Sequence, residues 1–314
     1  MTLEPLARAA RLRPGSRVAV VAPSGPVPPE RLERGLAFLR DWDLDPVVAP
    51  HVLDGHPELD YLAATDADRA RDLQEAWCDP SVEAVLCARG GYGAHRMADL
   101  LDWPALRAAG PKAFVGYSDI TVLHEAFALR AGFATLHGPM VATEVFLEDE
   151  ATRQALRSTL FEPESVQRLG LEAATALVPG TARGVTYGGC ASLLAADAGT
   201  PWARTSAEGG LLVVEDTGEE PYRLDGTLTR LRRIGALDGI AGVVCGSWDG
   251  CGPYEQVRAV LADRLGGLGV PVVEELGFGH CPTALTIPLG VPAVLDAPAD
   301  GGRCTLTAQV PALL

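Results

Sequence analysis

Ala113-Phe114-Val115-Gly116-Tyr117-Ser118-Asp119-Ile120-Thr121 passes from an apolar segment, through a glycine, into a polar corner. From Ile120 to Phe127 the pattern is helical. An apolar run that breaks at glycine and enters a helix at once marks a buried strand turning at a sheet edge. A serine at that corner projects from the sheet, beside the unpaired N–H groups that open the helix. Those groups and the helix dipole favour a developing oxyanion. Ser and Asp are also ordinary N-cap residues, and on this stretch alone the cap is the commoner reading.

The segments on either side repeat the pattern. Upstream, Arg17-Val18-Ala19-Val20-Val21-Ala22 and Val82-Glu83-Ala84-Val85-Leu86-Cys87-Ala88 are apolar runs of strand length, and Pro46-Val47-Val48-Ala49 is a shorter one. Such runs fit strands covered on both faces. Leu32, Leu36 and Leu39 recur at helical spacing behind Pro28-Pro29, and Thr65-Asp66 opens a helix that turns Leu73, Ala76 and Trp77 inward. A further helix carries Met97, Leu100 and Leu101. Strands alternating with helices predict an α/β fold with a parallel, doubly wound sheet. Its site then lies beyond the carboxyl ends of the strands, where the loops Ser24-Gly25, Arg89 to Gly93 and Tyr117-Ser118-Asp119 gather.

Downstream of Met140 the pattern weakens to one helix, Thr152 to Leu160, and a polar connector, Phe161-Glu162-Pro163-Glu164. Short strands follow at Arg183 to Tyr187, Leu211 to Glu215, Ile240 to Cys245 and Val270 to Glu274. Two more helices are marked by Leu224, Leu228 and Leu231 and by Val257, Leu261 and Leu265. The chain thus reads as an N-terminal α/β domain over 1–145, a connector over 146–175 and a smaller mixed domain over 176–314.

Bulk composition agrees with two domains. A chain of 314 residues is long for one core, and 47% hydrophobic content leaves ample apolar material. A net charge of −15 argues against nucleic-acid and anionic-membrane partners, which reward basic patches. It leaves room for a small anionic substrate held by one well-placed arginine. The start, Met1-Thr2-Leu3-Glu4-Pro5, shows no basic segment followed by an apolar one, and the apolar runs are far too short to span a bilayer. Seven cysteines, odd in number and without a C-x-x-C pair, fit reduced thiols in the cytoplasm and disfavour structural zinc. No metal and no cofactor is expected.

A serine hydroxyl attacks only if a base takes its proton, and that base needs an orienting acid. Of six histidines, His124 lies six residues past Ser118 on one helix and cannot reach back. His51, His56 and His95 sit in settings that read as solvated surface. His137 follows a strand and stays a candidate. His280, flanked by glycines in Gly277-Phe278-Gly279-His280 after the strand Val272-Val273-Glu274, is a second. For the acid, Leu211 to Val214 ends in Glu215-Asp216, and a carboxylate buried there needs a hydrogen-bonding partner such as an imidazole. Arg89-Gly90-Gly91-Tyr92-Gly93 lacks the spacing of a dinucleotide fingerprint or a phosphate loop. Its glycines let backbone N–H groups approach a substrate oxygen closely, or simply make a tight turn.

Ala22-Pro23-Ser24, Arg89 to Gly93, Gly116 to Thr121, His137-Gly138-Pro139-Met140, Gly188-Gly189, Gly199-Thr200-Pro201, Glu215-Asp216, Pro221-Tyr222-Arg223, Gly279-His280 and Ile287-Pro288-Leu289-Gly290 stand in this order. The ordered set resembles the LD-carboxypeptidases of serine peptidase group S66, which also contains the microcin C self-immunity peptidases. That resemblance implies a flavodoxin-like or amidotransferase-like N-terminal domain with a smaller swivelling-type β/α domain behind it. It implies a triad of Ser118 as nucleophile, Glu215 as orienting acid and His280 as base. It places the oxyanion hole on backbone amides of Gly91 and Asp119. A guanidinium suits a substrate's terminal carboxylate, and Arg89, with Gly90 and Tyr92 of the same loop as substrate contacts, is the nearest candidate in sequence. Arg183 and Arg223 are further candidates for the terminal carboxylate.

The activity implied is a cytoplasmic, homodimeric serine carboxypeptidase that cleaves an L-to-D bond and releases D-Ala from murein tetrapeptide. A microcin-type peptidase acting on a peptide–nucleotide adduct is the alternative, with Trp202 or Trp248 as base platform. A cysteine hydrolase, or a non-catalytic module binding peptides or sugars, are readings from other classes. The chain departs from the family pattern at Cys190, at Gly226, and at Thr283-Ala284, where Asn, Arg and Pro-Asn are common.

Overall fold

The structure is a computed structural model and describes residues 2–200 and 203–314. β1 (Arg17–Val21), β2 (Asp45–Val48), β3 (Ala84–Cys87), β4 (Ala113–Gly116) and β5 (Thr135–His137) form a parallel sheet in the order β2-β1-β3-β4-β5. β1, β3 and β4 are buried almost end to end, which is why they read as unbroken apolar runs. One layer of helices covers each face. Leu32, Leu36 and Leu39 of helix Pro29–Asp41 close one core, and Trp77 stacks on Phe127 at 4.2 Å in the other.

A second sheet contains β6 (Arg168–Leu169), β7 (Thr175–Val178), β8 (Gly180–Cys190), β9 (Gly210–Glu215), β10 (Gly242–Cys245) and β11 (Val272–Glu274). β12 (Ile287–Leu289), β13 (Pro292–Ala297) and β14 (Thr305–Ala308) complete the strands. The second sheet runs β6-β14-β13-β8-β9-β10-β11-β7, with β8 to β11 parallel and its outer strands antiparallel. β12 belongs to the first sheet instead, antiparallel to β5.

The two sheets therefore do not divide at one point of the chain. Helix Glu150–Phe161 buries Leu156 and Leu160 in the first core, as do Ala312 and Leu313 at the far end. Thr65 caps helix Asp66–Cys78 as expected, Oγ1 accepting from Asp68 N–H at 3.2 Å. The expected helix through Leu101 is shorter: it stops at Ala98, a second runs Trp103–Ala109, and Leu100 is exposed. No described helix is long and apolar enough to cross a membrane.

Candidate active site

β4 ends at Gly116, where a Cβ would press to 2.7 Å on Ile120 Cγ2. Tyr117 is extended and Ser118 has φ of 62°, the left-handed region that non-glycine residues enter at a cost of about 1–3 kcal/mol. One 3₁₀ turn, Ser118–Ile120, then leads into helix Thr121–Ala126. The capping expectation fails here: no side chain caps either element among the described residues. Asp119 is turned inward, its Oδ2 accepting from Ser24 Oγ at 2.6 Å and from Ala94 N–H at 2.8 Å. It caps the helix after the glycine loop, not its own. Burial raises its carboxyl pKa, against the lowering effect of Ser24 and the Ala94 amide.

Gly90 is the close neighbour of Ser118. A Cβ on it would lie 3.3 Å from Ser118 Oγ and 3.1 Å from Ser118 Cβ. Gly91 follows with φ of 110° and Gly93 with 135°. Gly25 N–H donates to Gly90 O at 3.0 Å, joining the Ser24-Gly25 loop to this turn. Arg69, on the inward stripe of helix Asp66–Cys78, donates to Pro23 O and, at 2.9 Å, to Gly93 O. This buried guanidinium ties the two loops together. Sequence reasoning passed over it, although a long charged side chain between Asp66 and Leu73 on an inward stripe is the signal. Arg89 is exposed and donates to Pro26 O at 2.7 Å, and Tyr92 is exposed against Tyr61 with ring centroids 5.9 Å apart.

Glu215 ends β9 fully buried, and His280 Nδ1 meets its Oε2 at 2.6 Å. The imidazole packs on the ring of Tyr117, the residue before Ser118, with centroids 4.7 Å apart. Gly279 has φ of 91°, and a Cβ there would strike the Glu215 carboxylate at 2.6 Å. Only glycine lets the chain pass. On the other side, His137 Nε2 is 3.7 Å from Oε1, beyond hydrogen-bond length. Burial pushes the Glu215 carboxyl upward, but the two histidines outweigh it and hold it below the usual range. For His280 burial pulls downward, while the bond to Glu215 and its charge leave the imidazole raised.

Of the two candidate histidines, His280 keeps an accessible edge at 19% side-chain exposure and His137 has 1%. His124 is fully buried, with Nε2–H donating to Gly116 O at 2.8 Å. Burial first, then neighbouring His137, depresses its pKa to about 3, so it stays neutral. The three histidines expected at the surface each lie close to a polar neighbour. His51 pairs with Asp72 at 2.7 Å, His56 Nδ1 accepts from Glu58 and Leu59 N–H, and His95 Nε2 is 3.1 Å from Asp197.

The second sheet reaches the serine corner through β8. Cys190 N–H donates to Thr121 Oγ1 at 2.9 Å, and Cys190 Sγ donates to Asp216 at 3.1 Å. Asp216 also accepts from Ser192 N–H and Thr217 N–H, which fixes it as a capping residue. Arg183 lies seven residues back along β8, about 23 Å from the Cys190 end at 3.3 Å per residue, too far to serve the serine corner. Arg223 is engaged by Glu219 at 2.7 Å. Gly226 has open space where a Cβ would stand, so nothing in the structure explains that departure. Trp248 is buried in the second core, and Trp202 with Pro201 lies outside the described residues. Among the described residues no group of three or more His, Cys, Asp and Glu side chains could hold a metal ion.

A two-sheet α/β chain with a strained serine corner on one half and a carboxylate–imidazole pair on the other falls among the serine-type peptidases. The model of the LD-carboxypeptidase N-terminal domain matches residues 18–138, and that of the C-terminal domain matches residues 183–295. The chain belongs to the LD-carboxypeptidase family. A Streptomyces coelicolor protein provisionally named a carboxypeptidase is 68% identical over 308 residues, covering 98% of each chain. The murein tetrapeptide carboxypeptidase of Pseudomonas aeruginosa is 33% identical, covering 89% of this chain and 93% of its own. Among solved structures, muramoyltetrapeptide carboxypeptidase from Oxalobacter formigenes superposes with a TM-score of 0.80 at 30% identity, covering 94% and 99%. An MccF-like protein from Bacillus anthracis superposes at 0.84 with 22% identity, covering 96% and 98%, and shares the fold.

Proposed function

We propose that the chain is a serine carboxypeptidase that cleaves the L-to-D bond of murein tetrapeptide and releases terminal D-Ala. The observation that carries this reading is the 2.6 Å pair of His280 Nδ1 and Glu215, packed on the residue before the strained Ser118. With Nδ1 committed to the carboxylate, Nε2 is the nitrogen left to take the Ser118 proton. Ser118 Oγ adds to the scissile carbonyl, the backbone N–H groups of Asp119 and Gly91 receive the oxyanion, and the imidazolium returns its proton to the leaving amine. Water, deprotonated by the same imidazole, then frees the acyl group. Glu215, ionised and buried, holds the ring and stabilises its cation. Arg89, exposed and next to Gly90 in the chain, is the guanidinium assigned to the terminal carboxylate, for which it would leave Pro26 O.

A cytoplasmic homodimer working in cell-wall recycling is the setting this reading implies. The names of the Pseudomonas and Oxalobacter relatives support the substrate class. A nucleotide-linked substrate needs an aromatic platform; of the two candidates Trp248 is buried and Trp202 lies outside the described residues. Mass spectrometry of murein tetrapeptide after incubation decides the matter: loss of one alanine is expected. Ser118→Ala, which keeps the fold, should lower turnover by a factor of about 10⁴ or more. Full activity in that variant, or turnover confined to a peptide–nucleotide adduct, overturns the reading.

A further inference from the structure

The loop that carries His280 is held from behind by the opposite half of the molecule. Asp149 caps helix Glu150–Phe161, its Oδ1 accepting from Thr152 N–H at 2.8 Å. Its second oxygen reaches the loop: Oδ2 accepts from Thr283 N–H at 2.9 Å. One residue further on, Ala284 N–H donates to Thr152 Oγ1 at 2.8 Å. Two successive amides of the His280 loop are thus bound to one helix end. The loop is also closed on itself, Cys281 N–H donating to Gly279 O at 3.0 Å and Leu285 N–H to Gly277 O at 2.8 Å. It therefore moves with the imidazole as a unit.

The backbone is shaped for this clamp. Thr283 has φ of 55° and an amide to give, whereas proline fixes φ near −65° and has no N–H. The Thr283-Ala284 departure and the clamp go together. Hydrogen bonds from Thr152 N–H first, and Thr283 N–H after it, hold the Asp149 carboxyl below its ordinary range against burial. The acceptor is charged at neutral pH, and bonds to a charged acceptor are roughly twice as strong as neutral ones.

We propose that Asp149 and Thr152 are positioning residues for His280, fixing the distance of its ring from Ser118 while Glu215 fixes its rotation. The inference rests on His280 acting as the base in the proposed reaction. Displacing a catalytic group by about 1 Å costs up to a hundredfold in rate.

Asp149→Asn separates capping from clamping. Asparagine caps a helix as well as aspartate does, but offers one acceptor oxygen where two are in use. Thr152→Val removes the other acceptor, and Thr152→Ser restores it. Asp149→Asn and Thr152→Val should each lower kcat about tenfold with KM unchanged, and Thr152→Ser should recover it. Fluorophosphonate labelling of Ser118 should slow by the same factor. The rising limb of the kcat/KM profile should move to lower pH, because a displaced His280 is raised less by Glu215. The carboxylates that face His280, namely Glu215, Asp216 and Asp249, are unchanged in these variants. Wild-type kcat and pH profile in both variants overturn the clamp, as does a loss that follows melting temperature alone and is not restored in Thr152→Ser. If the wild-type protein itself is not labelled at Ser118, the proposed reaction fails and takes the clamp with it.

Discussion

Glu215, closed to solvent, bonds His280 through one oxygen at 2.6 Å and has His137 3.7 Å from the other. A lone carboxylate in such a place would take up a proton; here the imidazoles keep it ionised. The consequence appears on His280, whose pKa is raised by that charge. A base works only above its own pKa, so activity should rise with pH through a value higher than that of an ordinary histidine. Glu215→Gln removes the charge but leaves a hydrogen-bonding side chain of the same size. Its kcat should fall by about 10³ to 10⁴, as expected when an orienting acid is lost. The rising limb of kcat/KM should move to lower pH, since the imidazole loses the carboxylate that favoured its cation. A limb that stays in place would mean that His280 is not the titrating base. The residue scale is also where the sequence left a choice open. His137 and His280 both follow strands, and no spacing separates them. What separates them is access, which depends on Tyr117 and Phe278 packing around His137.

Among elements, β8 and helix Thr121–Ala126 form the joint between the two halves of the site. Gly189 has φ of 143°, and a Cβ there would lie 2.8 Å from Thr121 Cγ2 and closer still to its hydroxyl. Gly189→Ala must bend the end of β8 away and break the Cys190–Thr121 hydrogen bond. About 2–4 kcal/mol of stability should be lost, from a positive φ combined with overpacking. Thr121→Ala, destabilising alone, should return part of that loss in the double variant, a coupling readable by denaturant melts. Simple additivity would show that the contact does not act as described. The central strands of both sheets are legible in the sequence because burial on both faces makes them continuous apolar runs. β8 is legible only to Tyr187, because Gly188 and Gly189 break the run, and they do so for reasons of contact that appear only in three dimensions. Nothing local in Ile287-Pro288-Leu289 says that β12 returns to the first sheet. The helix that Asp149 caps reads in the sequence only from Thr152; the cap, and its second oxygen bound to a loop 134 positions away, appear only in the structure.

The whole molecule depends on contacts that tie the halves together far from the serine. Glu125, on the helix after Ser118, meets Arg204 at 2.8 and 3.2 Å, and the guanidinium lies 4.8 Å over the Tyr187 ring. His95 faces Asp197 across the same seam, and Leu3 and Leu6 donate backbone bonds to Glu208 O and Gly290 O. The Glu125–Arg204 side chains are about one-tenth exposed, so both charges have been largely desolvated. Such a pair adds little net stability, yet losing one partner strands a charge. Arg204→Met should therefore destabilise by about 3 kcal/mol or more, while Arg204→Met combined with Glu125→Leu should recover most of it. Activity provides the second readout. If the pair fixes how the second half meets the serine helix, the double variant will fold well and still turn over more slowly than wild type, because apolar packing does not impose the bidentate geometry. Equal kcat in the stable double variant and the wild type would show that the seam sets stability only, and that the alignment of Ser118 with Glu215 and His280 is set by β8 and the His280 loop.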